Sequence, residues 1–198
     1  ERRHGHAVLR GAFQGVKAEM TRIWIAAVAL GFAGVPGAAL AQDGAALDCV
    51  AKTISPDLRA QVGAAMAGSD SDAARPLFEQ FGALSTDCMT KNGIAADRKE
   101  VYFDYNLARV SREWFAGQIR RAGLSVDPVD RSLDFGPKGA NPDLSSEMTE
   151  DQINTIINAY TAAGVDVESV DQSVWEKVGA YAAASSIYWN RRQQFLSH

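Results

Sequence analysis

Glu100 and Asp104 stand four residues apart, as do Arg109 and Glu113, with Tyr102 and Tyr105 between them. That spacing puts two side chains on one face of a helix. Two carboxyls assisted by a tyrosine are enough to cleave a glycosidic bond without an imidazole. The plainer reading of the same spacing is a decorated, solvated helix face. Asp104 and Arg112 fall within an apolar arc with Ser111 near them, and the three form a candidate buried polar cluster. They read first as a structural ion pair to a neighbouring helix, and second as the lining of a ligand cavity. Farther along, Trp175, Trp189, Arg191 and Arg192 gather rings and cations on one stretch of chain. They are the candidate binding surface, suited to a sugar, a peptide or a partner helix. Their alternative role is to cover a core stripe that includes Tyr181 and Tyr188.

Asp127, Asp130, Asp134 and Asp143 could offer oxygens to calcium. Their spacing is not that of an EF-hand loop and they read as a solvated polar loop. The three histidines are His4, His6 and His198, so the body of the chain between them has none. Ser-His-Asp and Cys-His catalysis, histidine-ligated zinc, copper or iron, and histidine-ligated haem are thereby excluded there. No catalytic residue, metal or cofactor is assigned. Cys49 and Cys88 are the only cysteines. Gly68-Ser69-Asp70-Ser71-Asp72 reads as a turn nearly midway between them. Antiparallel arms would bring the two sulfurs together, although Ser55-Pro56 breaks the first arm. A disulfide closing such a loop stabilises by roughly 4 kcal/mol in the chain-entropy model.

The elements that must position these residues begin after an apparent leader. Arg22 precedes the apolar run Ile23–Ala33, then Pro36 and Ala39-Leu40-Ala41. That is the order of an export signal with cleavage before Gln42. The run is about half the ~20 residues a spanning helix needs. Residues 1–19 read as an upstream extension, 20–41 as the signal peptide and 42–198 as a single helical domain. Removing five basic and two acidic residues from the 20 and 24 of the whole chain leaves a net charge of −7. Nucleic acid and anionic lipid are poor partners for that charge.

Every strong periodicity in the mature part is helical. Helices are expected over 43–53, 55–68 and 72–92, the last stopped by Asn92-Gly93. Asp97–Ala122 has two apolar arcs, so it reads as a central helix packed on more than one side. Its narrow polar face carries Tyr102, Asn106, Arg109, Glu113 and Arg120. Leu124–Met148, with three prolines, reads as one long irregular loop. Thr149-Glu150-Asp151-Gln152 is a capping box for the next helix, and Asp171 caps the last, to about Leu196. The small residues Ala180, Ala182, Ala183, Ala184, Ser185 and Ser186 allow close helix approach.

The expectation is all-α: a bundle of five or six helices, periplasmic or secreted, with no stable membrane insertion once the signal is removed. No motif identifies an activity. The leading functional reading is a non-enzymatic binding or structural protein of the cell envelope, with an envelope protein or small ligand as partner. The alternative is a carboxylate-dependent hydrolase acting on envelope glycans.

Overall fold

A computed structural model describes residues 44–68, 71–144 and 148–197. The extension, the signal segment and His198 lie outside the described residues, as do Ser69 and Asp70 of the Gly68–Asp72 turn. Among the described residues there is no strand. After a helical turn at 44–47, the helices are α1 (Cys49–Thr53), α2 (Pro56–Ala65), α3 (Ser71–Asn92), α4 (Lys99–Arg121), α5 (Asp127–Ser132), α6 (Glu150–Ala162) and α7 (Gln172–Leu196), with a 3-10 turn at Ala96–Arg98.

Local signals account for the boundaries. Ser55 caps α2 by accepting from the Leu58 amide at 3.2 Å, with Pro56 in the first turn where its missing donor costs nothing. At α6 both halves of the capping box form: Gln152 N to Thr149 Oγ1 at 3.2 Å, and Thr149 N to Gln152 Oε1 at 2.8 Å. Gly123 and Gly164 follow α4 and α6 with φ of 82° and 85°, a conformation that L side chains rarely adopt.

The long helices α4 and α7 lie antiparallel along one another. Tyr102 meets Phe195, Tyr105 stacks on Tyr188, and Arg112 meets Ser185. The small residues expected to permit close approach do so: Gly179 to Ser186 are all buried. Two apolar clusters form along this pair. One joins Val50, Val62, Phe81, Tyr102, Val110 and Phe195, with α1 and α3 packed toward the first half of α4 and α2 reaching past its middle, where Arg59 meets Glu113 and Gly63 lies against Trp114. The other joins Phe115, Ile119, Val129, Ile156, Trp175 and Tyr181, with α5 and α6 packed on the second half. α4 is therefore central and packed on several sides, as its two arcs predict.

Two expectations are corrected. The segment 124–148 is not irregular throughout, because α5 forms inside it, with Pro128 in its first turn and Val129 buried in the core. The remainder is tied down. Ser186 Oγ donates to Pro142 O at 2.8 Å and accepts from Leu144 N at 2.9 Å, while Asn190 Nδ2 donates to Asn141 O at 3.1 Å. The supposed polar face of α4 is also largely covered. Tyr102 is 0 % exposed and Asn106 1 %; Tyr102 OH donates to Ala46 O, and Asn106 Nδ2 donates to Tyr102 O within the helix.

Candidate functional site

The two apolar clusters are separated by a polar layer. It falls where α4 passes from Val110 to Phe115 and where α7 passes from Tyr181 to Tyr188. Arg112 is its hub. Arg112 Nε donates to Ser185 Oγ at 2.9 Å, and Nη2 donates to Asp130 Oδ2 at 2.8 Å. Tyr181 OH donates to the same carboxylate at 2.9 Å. The guanidinium carbon lies 5.1 Å from the Tyr181 ring centre and 5.6 Å from that of Tyr188, within cation–π range. Burial pushes the Asp130 carboxyl above its ordinary range, and Arg112 and Tyr181 pull against that shift. Burial likewise raises the Tyr181 phenol.

The three residues expected to form one buried cluster do not converge. Ser111 is buried, but it bonds back into its own helix, to Leu107 O at 2.8 Å. Asp104 lies two turns from Arg112 and faces Arg191 of α7, with Oδ2 3.0 Å from Nε. The Asp104 side chain is 2 % exposed, and neither oxygen accepts a well-directed hydrogen bond. Burial pushes this carboxyl up to about 7; Arg191 opposes the shift and Glu100 adds to it.

A second network binds α1 and α2 to α4. Arg109 donates to Asp48 at 2.8 Å and to Glu113 at 3.2 Å, and Arg59 reaches Glu113 at 3.0 Å. The hydrogen bond from Arg109 holds the Asp48 carboxyl below its ordinary range. Nearby, Cys49 and Cys88 are joined in a disulfide with Cα atoms 5.8 Å apart, as their spacing suggests, and Thr53 Oγ1 sits 3.5 Å from Cys88 Sγ.

The candidate binding surface is dispersed. Trp175 is fully buried against Tyr160, ring centres 5.2 Å apart, and so faces no partner. Arg191 is occupied by Asp104 and by Gln194 at 2.8 Å. Only Trp189 and Arg192 remain together and half-buried, the cation 5.8 Å from the ring centre. Among the described residues, every valine, isoleucine, leucine, methionine and aromatic side chain is buried or half-buried. The helix-spaced carboxylates part company too: Glu100 is exposed, Asp104 enclosed and Glu113 taken by two arginines. Burial pushes the Tyr102 phenol up to about 12 and that of Tyr105 higher still, away from acid–base work near neutrality.

The loop aspartates point to different partners. Asp130 pairs with Arg112, Asp127 with Arg131 at 3.8 Å, and Asp134 Oδ2 accepts from Ala140 N at 2.7 Å. Among the described residues, no group of three or more potential ligands could hold a metal ion. No helix among them is long and apolar enough to cross a membrane.

Asp130, Tyr181 and Ser185 complete the polar layer, and no spacing in the sequence links the three. The available signal was Pro128 two residues before Asp130, since proline in a first turn also marks a helix start. No protein-family model, curated protein or solved structure matches the chain.

Proposed function

We propose that this is an exported, non-enzymatic structural or binding protein of the cell envelope, periplasmic or secreted. One observation carries the reading. The side chains best suited to chemistry are turned on one another: Arg112 on Asp130, Arg191 on Asp104, and Arg109 on Asp48 and Glu113. They hold helices together, and each of these carboxyls is held by an arginine rather than left facing an open space. The disulfide fits an oxidising compartment, and the Arg22–Ala41 pattern supplies a route to it. The half-buried Trp189 and Arg192 are what remains of a contact surface toward an envelope protein or small ligand.

The test incubates the purified, disulfide-closed protein with isolated envelope glycan and measures new reducing ends. None is expected. Release that disappears in Glu100→Gln or Glu113→Gln would overturn the reading in favour of a hydrolase.

A further inference from the structure

Asp104 is the one carboxylate enclosed where the last turns of α7 lie on the first turns of α4. It touches Arg191 at 3.0 Å, yet both of its oxygens lack a directed hydrogen bond. A charge in that position keeps its desolvation cost without the donors that normally offset it. A protonated carboxyl there carries no such cost. We infer that docking of the C-terminal turns of α7 onto α4 is linked to protonation of Asp104, so that this contact tightens as the medium is acidified and loosens as it becomes alkaline.

Arg191 is the one cation in contact with Asp104 and opposes this, and burial outweighs it. Arg191 favours the anion and Glu100, one turn earlier, disfavours it. Arg98 of the 3-10 turn stacks on the Phe195 ring, its carbon 3.7 Å from the centre. Arg112 faces Asp130 and Ser185, Arg109 faces Asp48 and Glu113, and Arg192 lies by Trp189. On the other helices packed against α4, Arg59 of α2 is held by Glu113, Lys52 of α1 pairs with Asp48, and Glu79, Asp87 and Lys91 of α3 are exposed. Tyr105 and Tyr188, stacked beside the pair, are ring to ring at 5.1 Å. Burial moves the carboxyl from 3.8 to about 7. Between those values the folded form holds a proton that the unfolded chain has released. Stability from this group is therefore complete below 3.8 and is lost as pH rises through about 7.

The experiment follows the Asp104 carboxyl carbon by NMR from pH 3.5 to 9, together with amide exchange of residues 188–196, in the intact protein. Asp104→Asn assigns the resonance. Should that variant not fold, the exposed change Glu100→Gln identifies it as the signal whose midpoint falls. A midpoint near neutrality, with stronger protection of 188–196 at pH 5.5 than at 8.5 after correction for intrinsic exchange, is expected. A midpoint below 5, or protection indifferent to pH, would overturn the inference.

Discussion

Arg112 of α4 reaches Asp130 of α5 at 2.8 Å, inside the polar layer that divides the two apolar clusters. Their side chains are 25 % and 26 % exposed, so the pair is shielded but not sealed. Removing one partner strands the other, which is the costly way to break such a contact. Arg112→Met is expected to lower unfolding stability by about 2–3 kcal/mol, and Arg112→Met with Asp130→Asn to cost less than the sum of the singles. Urea unfolding of the four proteins of the cycle checks this. A more stable Arg112→Met would mean that the charge is kept for something other than the fold.

The disulfide spans a separation of 39 residues and fastens α1 to α3. Replacing both cysteines by serine is expected to cost about 2–4 kcal/mol through the freed unfolded chain. Thermal unfolding of the double variant against the oxidised parent reads it. The loss should be matched by adding reductant to the parent.

Gly63 sets how closely α2 can lie on α4. A Cβ built there falls 2.4 Å from Trp114 Cγ, in the body of the indole rather than at a flexible tip. Gly63→Ala should therefore destabilise by about 1–3 kcal/mol, the usual cost of overpacking. Trp114→Leu in the same chain should recover part of that loss. An unchanged urea midpoint for Gly63→Ala would contradict the close approach.

Acid should act on Asp48 in the opposite sense from Asp104. The hydrogen bond from Arg109 lowers the Asp48 carboxyl below 3.8 in the folded protein. Its contribution is present above 3.8 and is lost as pH falls below that value. Arg109→Met should therefore flatten the acid limb of a stability profile below pH 4 without altering its slope near neutrality. A steeper acid limb in the variant would contradict this assignment.

The helices were readable in the sequence because their signals are local. Ser55-Pro56, Thr149 to Gln152, Gly123 and Gly164 each act within a turn of where they stand. The long-range partners were not. Asp104 and Arg191 are separated by most of α4, all of α5 and α6 and most of α7, so their meeting depends on the register of α4 against α7, which no spacing encodes. Trp175 on a helix with Trp189 looked like one aromatic face. Instead α6 covers Trp175, and that packing follows from tertiary contacts alone. The contact of Tyr102 with Ala46 has the same origin. In 124–148, proline signals a loop and a helix start alike, and Gly139 shows how tightly the rest is built: a Cβ there falls 2.0 Å from Asp134 O.

The proposed envelope role requires that the chain be exported and its two cysteines joined. Intact-mass analysis of the protein taken from its native envelope, with thiols blocked before any reduction, tests that claim most directly. The predicted result is a chain beginning at Gln42, with Cys49 and Cys88 unlabelled until reductant is added. A chain still carrying residues 20–41, with both cysteines labelled at once, would contradict it.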